Sequence, residues 1–102
     1  MSNDEINIAV ETALGFTVCL SDLQSGLDVV NDGDYRRPVR CYAESLDACA
    51  GLEKTLELRE LADYSYKLMD ITNTTYEAIT ASASQRCEAY LRMKGLWNER
   101  HA

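Results

Sequence analysis

The chain has 102 residues, of which 17 are acidic and 10 are basic, so its formal net charge is −7. This balance argues against a general nucleic-acid binder and against a protein of anionic membrane surfaces, since both need excess positive charge. One proline and five glycines are too few for a many-turned β-fold. They favour long helices, and we expect a single all-α domain over residues 1–102.

The first predicted element is a helix over residues 3–30. Ser2 and Glu5 have the spacing of a capping box, in which each side chain accepts a hydrogen bond from the other residue's backbone amide. Alternating apolar residues over 16–20 offer a short strand as the alternative, but the heptad pattern runs through them without slipping, so we prefer the helix. The heptad positions are Ile6, Ala9, Ala13, Phe16, Leu20, Leu23, Leu27 and Val30.

A turn and a second helix are predicted next. Residues 31–34 (Asn-Asp-Gly-Asp) carry the clearest turn signal in the chain. Pro38 follows, and because a helix tolerates proline only in its first turn, we expect the second helix to begin near it. Apolar positions then continue to Ile71 with a change of phase at Gly51. We favour one long element over residues 38–71, with a break at Gly51 as the alternative.

The third predicted helix begins after a second capping-box pair, Thr74 with Glu77, and ends at Gly95. Residues 98–102 are expected to fray. Three helices of unequal length predict a small helical bundle of three or four helices with a long antiparallel hairpin. We expect a homodimer to complete the core through helix 1 and the second element, with Leu23 on the shared face.

The sequence shows no catalytic constellation. The sole histidine, His101, lies in the predicted frayed tail, where a general base cannot be held against a substrate. The cysteines are too far apart for the close pairs of a zinc or redox motif, and are most simply buried residues, with Cys41 off the apolar stripe. We expect no metal, no cofactor and no enzymatic activity. The four cysteines are Cys19, Cys41, Cys49 and Cys87.

Carboxylates on the second predicted element form the leading candidate site. An acidic surface can dock on a basic patch of a partner protein and accelerate association. Interleaved bases such as Lys54 and Arg59 allow the simpler interpretation of a solvated helix face. Tyr35 and Tyr66 are expected to be exposed and to add aromatic contacts, whereas Tyr42, Tyr64, Tyr76 and Tyr90 fall on apolar stripes. The acidic residues are Glu53, Glu57, Glu60 and Asp63.

An arginine cluster gives an alternative site. Arg36, Arg37 and Arg40 lie near the predicted start of the second helix, where arginine forks and free backbone amides suit a phosphate-bearing small molecule. Asp32 and Asp34 stand just upstream and could pair with these arginines. We therefore prefer a local salt-bridged turn to an anion site.

These features predict a small acidic protein that occupies the surface of a partner macromolecule as an inhibitor or adaptor. Phage or plasmid counter-defence proteins and nucleic-acid mimics are of this kind. The expected partner is a protein with a basic surface, without direct binding to nucleic acid or membrane. A signal-peptide pattern and an apolar run of about 20 residues are both missing, so we expect a cytoplasmic protein. The alternatives are a nucleotide-type ligand binder at the arginines and a structural subunit of a helical assembly.

Overall fold

The computed structural model describes residues 1–19, 29–32 and 35–97. Within them the protein is mostly helical, as predicted, but it also contains a small three-stranded sheet that the all-α prediction misses. The strands are β1 (Thr17–Cys19), β2 (Val29–Asp32) and β3 (Tyr35–Pro38), followed by a 3-10 helix at Tyr42–Glu44. The helices are α1 (Asn3–Ala13), α2 (Leu46–Glu53), α3 (Leu58–Thr72), α4 (Thr75–Ile79) and α5 (Ala83–Met93).

Helix α1 begins as predicted and ends much earlier than residue 30. The Ser2 hydroxyl accepts from the Glu5 amide at 3.2 Å, and the Glu5 carboxylate accepts from the Ser2 amide at 3.1 Å, which confirms the capping box. Gly15 has a φ of +93°, a left-handed conformation that glycine adopts without strain, and the helix ends before it. The predicted heptad positions Leu20, Leu23 and Leu27 lie outside the described residues.

The strand alternative for residues 16–20 is the correct one. The sheet has the order β1-β2-β3 and is antiparallel throughout. Val18, Val30 and Arg37 lie opposite one another across the three strands, and Val30 is fully buried. Their neighbours Thr17, Asn31 and Arg36 form the next row and are exposed. This alternation gives one inner and one outer face.

The structure agrees with the position of the predicted turn but not with the helix start predicted at Pro38. Strand β2 ends at Asp32, which is paired with Tyr35 at the start of β3, so the chain reverses direction where the turn was predicted. Residues 33 and 34 lie outside the described residues. Pro38 ends β3 and does not begin a helix. A strand at the edge of a sheet tolerates proline, because its outer side needs no backbone donor.

The predicted long element over residues 38–71 is divided, and not at Gly51. Gly51 lies inside α2, which Ser45 caps by accepting from the Ala48 amide at 3.1 Å. The break comes at residues 54–57. There the Thr55 hydroxyl donates to the Leu52 carbonyl at 2.7 Å, and Glu57 caps the start of α3. The Thr55 and Leu56 amides donate to the carbonyls three residues back, at Leu52 and Glu53, so the α-helical ladder of α2 ends in a tighter turn.

The predicted third helix is also divided. Thr74 caps α4 by accepting from the Glu77 amide at 3.0 Å, which is one of the two hydrogen bonds of the predicted capping box. Ser82 and Gln85 then form a capping box that begins α5. Gly95 has a φ of +74° just after α5 and ends it, which confirms that prediction.

Helix α5 lies at the centre of the core. It packs against α1, α2, α3 and the 3-10 helix, and its residues Cys87, Ala89 and Leu91 have no exposed surface. The Sγ atoms of Cys49 on α2 and Cys87 on α5 are 3.8 Å apart. Three of the tyrosines predicted on apolar stripes are buried, and the fourth is 75% exposed. The buried ones are Tyr42, Tyr64 and Tyr90, and the exposed one is Tyr76.

Candidate functional site

An apolar groove lies between α3 and α4. It has a volume of about 270 Å³ and is lined along α3 by Leu61, Ser65 and Met69 and along α4 by Ala78 and Ile79. We call this surface the α3–α4 groove. A small protein normally covers such a run of apolar side chains, so the groove stands out as a candidate contact surface.

Exposed side chains extend the groove beyond its lining. Leu58, at the start of α3, is 85% exposed, and Ile79 is 70% exposed. Leu58, Leu61, Ser65 and Met69 follow one another at three- and four-residue spacing, so they form one stripe along α3. The stripe is about 16 Å long at the rise of an α-helix. It carries no charged side chain.

The polar wall of the groove is a closed hydrogen-bond network around Glu53. The Glu53 carboxylate accepts from the Tyr64 hydroxyl at 2.5 Å and from Arg86 Nη1 at 3.1 Å. Arg86 also donates to the Ala81 carbonyl at 3.1 Å and to the Ile79 carbonyl at 2.9 Å. These bonds join α2, α3 and the α4–α5 corner, so the wall holds the groove in shape.

The same network leaves no reactive group at the wall. Burial raises the pKa of Tyr64, and the neighbouring Glu53 carboxylate raises it further, so the phenol stays neutral. Burial disfavours the charge of Arg86, but Glu53 and Tyr64 outweigh it, and the pKa of Arg86 is raised. Both groups therefore keep one protonation state across the physiological range.

The predicted acidic surface is dispersed. Glu53 faces the groove as described above. Glu57 is exposed at the start of α3, where its side chain accepts from the backbone of α3 and its amide donates to Glu60 at 3.2 Å. Two of the four predicted carboxylates thus make hydrogen bonds within the protein itself.

Lysines of the same chain pair with the other two carboxylates. Lys94 Nζ lies 2.6 Å from Glu60, and this bond lowers the pKa of Glu60 and raises that of Lys94. Lys67 Nζ lies 3.8 Å from Asp63 one turn along α3, a distance typical of a weak surface pair. Basic side chains of the same chain therefore partly neutralise the four predicted carboxylates.

The two predicted aromatic contacts have different positions. Tyr66 is 68% exposed on α3, three residues after Asp63 and three before Met69, so it adjoins both. Tyr35 begins β3, and its side chain lies outside the described part of the structure.

The arginine cluster is split by the sheet. Arg36 and Arg37 are consecutive strand residues and point to opposite faces. Arg37 binds the fully buried Glu11 carboxylate with both guanidinium nitrogens, one of them at 3.0 Å, and lies over the Phe16 ring. A phosphate at Arg37 would have to displace Glu11, so the geometry does not favour the predicted anion site.

The Glu11 carboxylate accepts two further hydrogen bonds. The Arg40 amide lies 3.3 Å from its carboxylate and the Tyr42 hydroxyl 3.0 Å. Burial raises the pKa of Glu11, but these hydrogen bonds and Arg37 outweigh burial, and the pKa lies below its ordinary value. The chain thus pairs Arg37, one of the three clustered arginines, with Glu11, a residue that the sequence pattern gave no reason to pair with it.

Sequence patterning identified the apolar residues of α3 but not their exposure. Leu58 and Leu61 fit the same stripe as the buried Tyr64 and Leu68, and were expected in the core. The signal that separates them is the width of the apolar arc. Leu58, Ser65 and Met69 lie on one side of that arc, beyond what a narrow stripe can bury.

The described residues offer little to other chemistry. Within residues 1–19, 29–32 and 35–97, His, Cys, Asp and Glu side chains form no group of three that could hold a metal ion. Among the described helices, none combines the length and the apolarity needed to cross a bilayer.

Comparison with known proteins gives no match: no family model, no curated protein and no solved structure matches the chain. Its function has to be inferred from the geometry of the molecule itself.

Proposed function

We propose that this is a cytoplasmic, non-enzymatic binding protein that occupies the surface of a partner protein as an inhibitor or adaptor, with the α3–α4 groove as its contact surface. The observation that carries the proposal is the uncharged stripe from Leu58 to Met69, which continues onto Ile79 of α4. Contiguous exposed apolar surface of this kind marks interaction sites, because water contact with it is unfavourable.

Charge has a secondary role in the proposal. The net charge of −7 favours a partner with a basic surface and accelerates encounter at low salt. The pairing of Glu53 with Arg86 and of Glu60 with Lys94 weighs against carboxylates as the principal contact. It also weighs against a nucleic-acid mimic, which needs an array of unpaired negative charges.

The proposed homodimer has no assigned surface. Ile6 is buried in the protein's own core, and Leu23 lies outside the described residues. Light scattering at micromolar concentration tests it, and a mass of 11.4 kDa would show a monomer.

The function is tested by capturing partners from a candidate host lysate on matched variants. We expect Leu61→Gln with Met69→Gln to lose the captured protein, because this pair removes apolar surface without adding charge. Leu46→Gln is the control, because Leu46 is a 57% exposed leucine of α2 that does not line the groove, and it should capture as the parent does. Equal capture by the parent and the double variant would contradict the proposal.

A second pair of variants separates charge from apolar contact. Asp63→Lys with Asp70→Lys reverses two exposed carboxylates of α3 while leaving the Glu53 and Glu60 pairs and the Glu57 cap intact. We expect it to slow association and to reduce the salt dependence, without abolishing capture. Complete loss with these variants would make the carboxylates the principal contact.

A further inference from the structure

Two cysteines meet in the core although the sequence keeps them far apart. Cys49 lies on α2 and Cys87 on α5, 38 positions later, and their Sγ atoms are 3.8 Å apart. Both side chains are buried. Buried cysteines often serve only as small apolar residues, but that role does not require one sulfur to lie against another. We propose that the pair is a redox site, at which hydrogen peroxide converts the two thiols into a reversible disulfide.

The distance between the two sulfurs is short enough for a bond to form. A disulfide has a sulfur–sulfur distance of about 2.0 Å, so the two atoms have to approach each other by less than about 2 Å. Rotation of the cysteine side chains and a small shift of α2 provide this movement. Helix α2 has only 8 residues and packs mainly on α5 and the 3-10 helix, so it can move toward α5 as a unit.

Hydrogen bonds hold the Cys49 side chain at this contact. Its thiol lies 3.2 Å from the Tyr42 carbonyl and 3.5 Å from the Ala83 carbonyl, which belongs to the turn of α5 before Cys87. The sulfur is therefore placed between the 3-10 helix and α5 and is not free to turn toward solvent. This placement brings the two reacting sulfurs together before any oxidant arrives, which favours bond formation within the chain.

The reaction has two steps and consumes one molecule of peroxide. The Cys49 sulfur attacks one oxygen of hydrogen peroxide, the O–O bond breaks, and the leaving hydroxide takes up the thiol proton to form water, which leaves Cys49 as a sulfenic acid. The Cys87 sulfur then attacks the Cys49 sulfur, the S–O bond breaks, and the hydroxyl group leaves with the Cys87 proton as a second water. The two thiols are oxidised and the peroxide is reduced. Thiol reductants reverse the reaction by disulfide exchange.

Cys49 is the sulfur that meets the oxidant first. It lies on the outer helix of the pair, where Asp47, Ala50 and Gly51 are exposed, whereas α5 is central. The hydrogen bond from Cys87 lowers the pKa of Cys49, although burial opposes this effect, and a lower pKa favours the reactive thiolate. Hydrogen peroxide is scarcely larger than a water molecule, so it can pass through openings that exclude bulky alkylating reagents.

The disulfide would close a loop that contains two whole helices. Residues 49–87 include α3 and α4, so the bond would tie together both ends of the segment that carries the α3–α4 groove. A disulfide that closes a long loop stabilises a protein mainly by restricting its unfolded chain. The oxidised protein should therefore be more stable than the reduced protein.

The test oxidises a chain with Cys19→Ser and Cys41→Ser, in which the pair supplies the only thiols. After treatment with excess hydrogen peroxide, we expect the intact mass to fall by two hydrogen atoms and a nonreducing digest to join the peptides that contain residues 49 and 87. The melting temperature should rise by at least about 5 °C and return to its initial value after reduction with dithiothreitol.

Two controls accompany this measurement. The same chain with Cys49→Ser as well should form no internal bond and gain no thermal stability from peroxide. The parent chain, mapped in the same way, should contain the same joined peptides, which keeps the test independent of the substitutions. Circular dichroism confirms that each variant is folded before oxidation.

Three results would overturn the inference. Peroxide could leave the two thiols unlinked, either unreacted or each oxidised to sulfinic acid. The link could form only when urea is added, which would mean that the folded protein keeps the sulfurs apart. A linked chain that melts at or below the temperature of the reduced chain would show that the bond forms only by distorting the fold.

Discussion

Glu11 is an ionised carboxylate with 0% exposed surface, held between α1 and the sheet. An ion in such a place is tolerated only when charge and hydrogen bonds replace its hydration. Arg37 provides the charge, and the Tyr42 hydroxyl and the Arg40 amide provide further bonds. The cluster fixes the sheet to the helix, because its donors come from β3 and from the chain that follows it.

Replacing Arg37 with alanine should therefore destabilise the protein. We expect a loss of about 3 kcal/mol in the free energy of unfolding, at the lower end for a broken buried pair because the Arg37 side chain keeps 17% exposure. Arg59→Ala, at an exposed position of α3, should cost no more than about 0.5 kcal/mol. Urea denaturation of the two variants measures both. Equal stability of the two would show that the Glu11 pair contributes little.

The pH dependence of stability should report the same carboxylate. Its pKa in the folded protein lies below the ordinary glutamate value of 4.5, so its contribution to stability is present above that value and is lost as the pH falls through the folded pKa. Glu11→Gln should lower the melting temperature most at pH 7, and the difference from the parent should shrink toward pH 3. A constant difference across this range would contradict the assignment.

For individual residues, the sequence predicts contacts within one helical turn well and contacts between distant segments poorly. The Ser2–Glu5 and Thr74–Glu77 caps follow from spacing alone, since both partners lie within one helical turn. The bond from Arg37 to Glu11 joins residues 26 positions apart, and no local pattern indicates it. Asp32 and Asp34 were the nearer candidates for the arginines, but Asp34 and the side chain of Asp32 lie outside the described part of the structure.

Among the secondary-structure elements, two glycines have opposite roles. Gly51 lies in the interior of α2, and a methyl group there would meet nothing within 4 Å. Gly95 has a left-handed backbone that alanine adopts only with strain. We expect Gly51→Ala to stabilise the protein by about 0.5–1 kcal/mol and Gly95→Ala to destabilise it by about 1 kcal/mol. Thermal unfolding checks the signs, and a destabilising Gly51→Ala would show that α2 is not a continuous helix.

Thiol reactivity should distinguish the exposed cysteine from the two buried where α2 meets α5. Cys41 is exposed, whereas Cys49 and Cys87 are buried where α2 meets α5. The neighbouring Cys49 thiol, together with burial, raises the pKa of Cys87 and keeps it protonated. Brief alkylation of the folded protein at pH 8, mapped by mass spectrometry, should modify Cys41 and spare the other two. Labelling of Cys87 at the rate of Cys41 would mean that this contact opens readily.

The sheet shows why element type can be misread. A heptad pattern over residues 6–30 and an alternating pattern over residues 16–20 fit the same letters, and the longer pattern was preferred. The strands form because Val18 and Val30 pair across the sheet, an interaction between separate segments that a periodicity count cannot register. Thr55 and Ser82 lie at the breaks after α2 and α4, and the side chain of each bonds the backbone there.

For the whole molecule, α5 is the element on which the rest depends. It packs against α1, α2, α3 and the 3-10 helix, whereas α4 has only five residues and leaves Tyr76 and Ile79 exposed. We expect backbone amides near Cys87 and Leu91 to exchange hydrogen most slowly, because their opening requires global unfolding. Amides of α4 should exchange much faster. Mass spectrometry of peptic fragments measures this, and faster exchange in α5 than in α1 would contradict it.

The position of α5 in the chain has a consequence for synthesis. Residues 83–93 are translated after every element that packs on them, so the parts of α1 and α3 that α5 covers leave the ribosome uncovered. An interrupted product that stops before Ala83 contains Ile6, Val10 and Leu68 without their covering helix and is open to proteases. Accumulation of the protein in a cell is therefore coupled to completion of its translation.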